Sequence, residues 1–116
     1  MKSGSQTIYV PDRGDIVYLD FSPYQGREQG YKRPGIILSP IKYNRMASLA
    51  LMCPITSQSK GLLFEVPLDR EMKTTGFVLS DQVKSFDWKA RQVRFIEKAS
   101  TELIEEVLAK VETLLS

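Results

Sequence analysis

Apolar positions in this chain change period near its C-terminal end. From Gly14 onward they fall in short runs rich in β-branched and aromatic residues. Asp15–Phe21 reads D-I-V-Y-L-D-F, Gly35–Leu38 is entered through Pro34, and in Leu49–Ile55 the residues Leu49, Leu51 and Cys53 alternate. Phe64–Leu68 is shorter, and its Pro67 suits an edge, because proline has no N–H to give a central ladder. Phe77–Phe86 reads as mostly extended and Val93–Ile96 as a last strand. Strands at this spacing, with no helical pattern between them, predict a small antiparallel barrel or sandwich.

The period then becomes helical. Leu103, Ile104, Val107, Leu108, Val111, Leu114 and Leu115 fall on one face at 3.6-residue spacing. Ser100 or Thr101 can cap the start, Glu102 suits the positive end of the helix dipole, and Glu106 and Lys110 form an i,i+4 pair. The stripe is expected to pack on the sheet. At the other end, residues 1–10 read as a flexible arm. The whole of 1–116 reads as one domain, since domains most often run about 100–150 residues.

Two connections stand out. Ser22–Arg33 is a twelve-residue loop, longer than a hairpin needs, and long ordered loops in compact domains are often functional. Thr56–Leu63 is a polar loop directly after an apolar strand.

Composition narrows the function classes. No apolar run approaches the ~20 residues that span a bilayer, and Met1–Val10 lacks the apolar stretch of a signal peptide, so no membrane role and a cytoplasmic setting are expected. The one cysteine, Cys53, lies in an apolar run and reads as a buried thiol; with no histidine in the chain there is no metal cluster and no expected cofactor. Net charge is +2, but residues 1–96 carry 14 basic and 9 acidic side chains, whereas residues 97–116 carry 2 basic and 5 acidic. A basic body permits a polyanionic partner; a mixed solvated surface is the plainer alternative.

Candidate chemistry gathers in three segments. Gly26–Pro34 packs Arg27, Glu28, Gln29, Tyr31, Lys32 and Arg33 together, and Arg33 leads into a strand, so its guanidinium would be rigidly held. That group's planar fork of donors matches phosphate; a solvated turn with incidental charge is the alternative. Ser57, Gln58 and Lys60, after Thr56, can contact phosphates or base edges, or simply close a turn. Asp81 and Gln82 can read base edges, while Lys84 and Arg91 suit phosphates. Trp88 can stack on a base or fill a core or an interface.

The order and spacing of these pieces resemble the MazF/PemK toxins of bacterial toxin–antitoxin pairs over nearly the whole chain. The matching residues are Arg13-Gly14-Asp15-Ile16, then Gly26, Glu28-Gln29 and Arg33-Pro34, then Leu38-Ser39-Pro40 with Tyr43-Asn44. They continue with Pro54-Ile55-Thr56, Gln58-Ser59-Lys60-Gly61, Asp81-Gln82-Val83-Lys84-Ser85 and Trp88-Lys89-Ala90-Arg91. The resemblance implies a mainly β (α+β) fold, an SH3-like small antiparallel barrel with a C-terminal helix packed on it. It also implies a homodimer, a cognate antitoxin with an acidic flexible segment, and sequence-selective cleavage of single-stranded RNA.

Carried over position by position, the resemblance makes Arg33 and Thr56 catalytic candidates: Arg33 to neutralise phosphorane charge, Thr56 to donate to a phosphate oxygen. Glu28 is a candidate base, or it orients Arg33 or Arg27 through an ion pair. RNA would lie over Arg27, Gln29, Lys32, Ser57, Gln58 and Lys60, with Asp81, Gln82, Lys84 and Arg91 at the floor or rim. Some family members carry His where this chain has Arg27, and Arg where it has Leu79; a scheme using both is out of reach here. Two competing readings remain. One is a gyrase-poisoning toxin of the same fold, whose Trp-Gly-Ile ending is replaced here by Leu114-Leu115-Ser116. The other is an inactive SH3-like peptide-binding module, whose aromatic groove is here a cationic loop.

Overall fold

The computed structural model describes residues 8–22 and 32–116. Among these, seven strands form one antiparallel sheet: β1 (Asp15–Asp20), β2 (Lys32–Ile37), β3 (Ala50–Thr56), β4 (Glu65–Pro67), β5 (Phe77–Leu79), β6 (Lys84–Phe86) and β7 (Arg94–Lys98). Helix α1 (Ile41–Ala47) joins β2 to β3, and helix α2 (Thr101–Leu115) ends the chain. The order across the sheet is β4-β5-β3-β2-β1-β7, with β6 also paired to β3. The sheet is open and barrel-like, and Pro67 does lie on a terminal strand, where its missing donor costs no ladder bond.

Both faces of the sheet are covered, which accounts for the nearly continuous apolar character of its central strands. Successive side chains of a strand point to opposite faces. Ile16, Ile36, Cys53 and Ile55 enter one core, which Leu103 and Val107 of α2 complete. Val17, Leu19, Ile37 and Met52 enter a second core with Phe86 and Trp88. The alternation of Leu49, Leu51 and Cys53 does not separate a buried from an exposed face: Leu51 is 40% exposed, while Ala50, Met52 and Cys53 are all buried.

Ser100 caps α2, its hydroxyl accepting from the Leu103 N–H at 3.1 Å and donating to Asp69 at 2.8 Å. Ile104, Leu108 and Val111 pack on the first core as expected, but Leu114 and Leu115 are 42% and 80% exposed, because the helix outruns the sheet it covers. The arm expectation also stops short: Tyr9 and Val10 pack on the second core, and the Tyr9 hydroxyl donates to Asp15. Burial first, and then that contact, raises the phenol's pKa.

Helix α1 lacks a sequence signal, since it opens at Pro40 without its own capping side chain. A distant residue caps it instead: Asp12 accepts from the Ile41 N–H at 2.9 Å. Its one buried side chain, Asn44, donates to the carbonyls of Pro11 (2.8 Å) and Ser39 (2.9 Å) and accepts from the Ser39 hydroxyl. The Ser39 hydroxyl in turn accepts from the Leu51 N–H at 2.9 Å. The Leu38-Ser39-Pro40…Tyr43-Asn44 pattern is thus a structural knot tying three segments together.

Candidate nucleic-acid interface

Arg33 and Thr56 meet at one end of the sheet. The register of β2 and β3 pairs Gly35 with Pro54; continued two residues outward, it sets Arg33 opposite Thr56. Gly35, Arg33, Pro54 and Thr56 then share the face of the second core. Gly35 is needed there, since a Cβ would lie 2.7 Å from the Phe21 ring and 3.1 Å from the Cys53 carbonyl. Gly76, at φ +126°, serves the same end: a Cβ would strike the Thr56 carbonyl as β5 approaches β3. The Thr56 hydroxyl accepts from the Gln58 N–H at 3.3 Å, which leaves its own hydrogen to donate outward.

The expected continuous strand Phe77–Phe86 is broken by a 3-10 turn at Ser80–Gln82. β5 pairs with the outer half of β3 and β6 with its inner half, so the turn faces the middle of β3. That gap is where Pro54 sits. The backbone of Leu51 bonds toward the β2 side, to Leu38 and to Ser39 Oγ; alternation turns Pro54 to the other side, where no strand asks for its missing N–H. The break leaves Asp81 and Gln82 exposed at the gap.

Three adjoining depressions share Arg33. The first, about 310 Å³, brings Arg33 and Thr56 together with Gln58, Lys60, Asp81 and Gln82. The second, about 180 Å³, sets Arg33, Gln82 and Lys84 against Pro54, Phe21 and Phe86. The third, about 300 Å³, holds Lys32, Ser57 and Thr75 beside Tyr18, Arg33 and Thr56. A polyanion crossing this end of the sheet meets Arg33 whichever way it enters. Nine of the candidate residues are therefore brought together.

Arg91 sits behind them. Its Nη1 donates to the carbonyls of Asp20 (2.7 Å) and Ser22 (2.9 Å), and its guanidinium lies 4.8 Å from the Phe86 ring centroid. The structure gives it work in fastening the exit of β1. Trp88 is 5% exposed and donates from Nε1 to the Asn44 carbonyl at 3.0 Å, so it fills the core rather than stacking on a base. Glu28, Arg27 and Gln29 lie outside the described residues.

Sequence reasoning passed over Glu65. Its carboxylate accepts from the Ser59 hydroxyl (2.7 Å) and the Lys60 N–H (2.9 Å), pinning the loop that carries Gln58 and Lys60. The Ser59 hydrogen bond, then the Lys60 N–H, hold it below the ordinary glutamate range. Tyr18, Phe21 and Phe86 were also read only as strand residues. Nothing in the sequence marks them, because their place in the site follows from cross-strand register. Cys53 is buried as expected, and burial, with Asp81 nearby, pushes its thiol up to about 12, so it stays a thiol. No cluster of metal-ligating side chains occurs among the described residues, and no helix there is long and apolar enough to cross a membrane.

Known proteins give the arrangement a context. Residues 12–115 match the family described as PemK-like, MazF-like toxin of type II toxin-antitoxin system. The chain is 41% identical over 107 residues to the endoribonuclease toxin MazF of Escherichia coli, covering 92% of this chain and 96% of that protein. It is 34% identical over 109 residues to the Escherichia coli endoribonuclease PemK, covering 90% and 82%. The crystal structure of MazF from Deinococcus radiodurans superposes with a TM-score of 0.85 at 42% identity, over 93% of this chain and 98% of that one. A MazE-MazF crystal structure from the same organism gives 0.83 at 38% identity, over 94% and 98%. Family match, identity and superposition agree along nearly the full length, and the chain belongs to the PemK-like, MazF-like toxins of type II toxin–antitoxin systems.

Proposed function

We propose that the chain, as one toxin domain, is a sequence-selective endoribonuclease that cuts single-stranded RNA and is held in check by a cognate antitoxin. The observation that carries this reading is the placement of Arg33 opposite Thr56 at an end of the sheet rimmed by Lys32, Lys60 and Lys84. Its relatives of known activity are named endoribonucleases. The gyrase reading finds no support among them.

RNA carries its own nucleophile. The 2′-oxygen attacks the adjacent phosphorus, a base takes the hydroxyl proton, the bond from phosphorus to the 5′-oxygen breaks, and that oxygen is protonated. The products are a 2′,3′-cyclic phosphate and a 5′-hydroxyl. Arg33 supplies fixed positive charge where the phosphorane's charge develops, an effect worth several kcal/mol when pre-aimed. Thr56 donates to a phosphate oxygen. With no histidine in the chain and an arginine pKa above ~12, Glu28 is the base candidate, and orientation of Arg33 or Arg27 is its other role. Asp81 and Gln82 face base edges, and Lys84 takes a phosphate.

The protein works as a cytoplasmic homodimer. Exposed apolar side chains such as Met46 of α1 (81%) and Leu51 of β3 (40%) leave surface for a second copy. The antitoxin's acidic flexible segment suits the cationic rim by charge, and its binding there blocks RNA.

The test is purified protein with a long single-stranded RNA in chelator. Discrete fragments ending in cyclic phosphate are expected, and Arg33→Ala should abolish them. Intact RNA with the native protein, or full activity of Arg33→Ala, overturns the reading.

A further inference from the structure

The cationic depressions do not end at Arg33. The third of them, which holds Arg33 and Thr56, runs on to Tyr18, and Tyr18 also lines a separate shallow depression of about 410 Å³ with Arg94, Phe95 and Ile96. Tyr18 and Arg94 face each other across β1 and β7, and the Arg94 guanidinium lies 5.8 Å from the Tyr18 ring centroid. Arg94 and Phe95 are exposed, Phe95 by 51%. Lys32 stands on the next strand, paired with Asp20 two residues beyond Tyr18. By alternation the side chains of Thr56 and Arg33 lie on the second-core face and those of Lys32, Tyr18 and Arg94 on the first-core face, and the third depression, lined by Tyr18, Lys32, Arg33 and Thr56, joins the two faces around one end of the sheet. Two readings of the Tyr18–Arg94 pair are possible in principle: a cross-strand pair that stabilises β7, or a platform for something outside. An exposed guanidinium over a half-buried ring, continuous with a phosphate-seeking groove, fits the second.

We infer that Tyr18 and Arg94 form a subsite for RNA flanking the cut bond, in which a base stacks on the Tyr18–Arg94 pair and the neighbouring phosphate lies between Lys32 and Arg94. This rests on the ribonuclease reading and extends it: contacts with the cut phosphate set the rate, while this subsite sets how much a longer RNA gains over a short one. Stacking on an aromatic face is tolerant of base identity, so the subsite adds affinity without adding to the recognised sequence. It takes single strands, because a paired base has no free face to offer.

The experiment compares a short RNA holding only the cleaved sequence with the same RNA extended by uridines on its 5′ side or on its 3′ side. The quantity read is the ratio of KM on the short RNA to KM on each extended RNA. In the native protein one extension should lower KM by roughly 5- to 150-fold, the worth of one stacked base. Tyr18→Ala and Arg94→Gln should bring that ratio close to 1, while Tyr18→Phe, which keeps the ring, should preserve most of it. Arg94→Gln should also reduce the slope of log affinity against log salt for the extended RNA by about 0.7, one phosphate contact on a single strand. Each variant is its own reference, so a general loss of stability moves both substrates and leaves the ratio unchanged. If the native protein cleaves these RNAs and neither extension helps, or the gain survives in both Tyr18→Ala and Arg94→Gln, the subsite does not exist. If the native protein cleaves none of them, the ribonuclease reading itself fails and takes the subsite with it.

Discussion

The Ser59 hydroxyl donates to the Glu65 carboxylate at 2.7 Å, closing the β3–β4 loop on itself at its base. The same hydroxyl accepts from the Gly61 N–H at 3.0 Å, and Glu65 also takes the Lys60 N–H. An exposed loop that follows a buried strand is thereby given a fixed shape, and Gln58 and Lys60 are presented beside Arg33.

Replacing that carboxylate should loosen presentation without unfolding the protein. Glu65→Gln keeps the size but weakens two charge-assisted bonds. We expect KM for RNA to rise several-fold with a smaller change in kcat and little change in Tm; an unchanged KM would mean the loop's shape is held by other contacts. The pH dependence has a definite sign. Glu65 is held below its ordinary 4.5 in the folded protein, so the clamp is complete above that value and loosens as pH falls through the lower folded value.

The sheet, its edge proline and the C-terminal helix were legible because burial on alternate faces and at helical spacing leaves a periodic trace. Helix α1 was not, because its cap is Asp12, far away in sequence, and its buried side chain is polar. In the candidate site, Arg33 and Thr56 were expected from resemblance, and both line one depression at the end of the sheet. Tyr18 and Glu65 were missed for a common reason. Each acts through a partner on another segment, Arg94 or Ser59, and a one-dimensional pattern does not show which segments meet. Arg91 was read as a phosphate contact because it is cationic and near the Asp-Gln pair, yet its Nη1 is occupied by two backbone carbonyls.

The Asn44 knot should matter for stability rather than for chemistry. Asn44→Ala removes partners from the Pro11 and Ser39 carbonyls and from the Ser39 hydroxyl, all in buried or half-buried surroundings. Each orphaned buried group costs about 1–3 kcal/mol. A loss of roughly 3 kcal/mol or more is expected in denaturant titration, with kcat on RNA unchanged for the fraction that remains folded. A loss under about 1 kcal/mol would mean that water replaces the side chain.

Acid should destabilise the fold in a way that two carboxylates explain. Burial alone would raise Asp12, but the Ile41 and Arg13 N–H groups and the Lys98 charge outweigh it and lower its pKa. Glu97 likewise ends below its ordinary 4.5 because the Thr74 hydroxyl and the Lys73 and Thr74 N–H groups overcome desolvation. A folded pKa below the unfolded one means that the unfolded chain binds protons first, so stability is full above about pH 5 and falls as pH drops through the folded values. Asp12→Asn and Glu97→Gln should each lower the stability plateau and flatten its acid limb, measured as urea midpoints between pH 3 and pH 7, a window of roughly the carboxylate range. An acid limb that keeps its slope in both variants would place the dependence on other carboxylates.

Arg91 and Lys84 provide the sharpest separation of structure from binding. Both are cationic, both lie in the segment after the Asp-Gln pair, and both were expected to touch phosphate. Lys84 is exposed and lines a depression with Arg33 and Gln82, so its charge is turned to whatever enters there. Arg91 is turned inward, holding the Asp20 and Ser22 carbonyls under the Phe86 ring. Lys84→Ala should therefore reduce the salt slope of RNA affinity by about 0.7 with little change in stability. Arg91→Ala should leave that slope intact and lower stability by about 1–3 kcal/mol, because two carbonyls lose their donor and Phe86 loses the cation beside its ring. Measured side by side by salt titration and thermal unfolding, the two variants should exchange neither effect. A reduced salt slope in Arg91→Ala would show that this arginine leaves its carbonyls to meet the RNA.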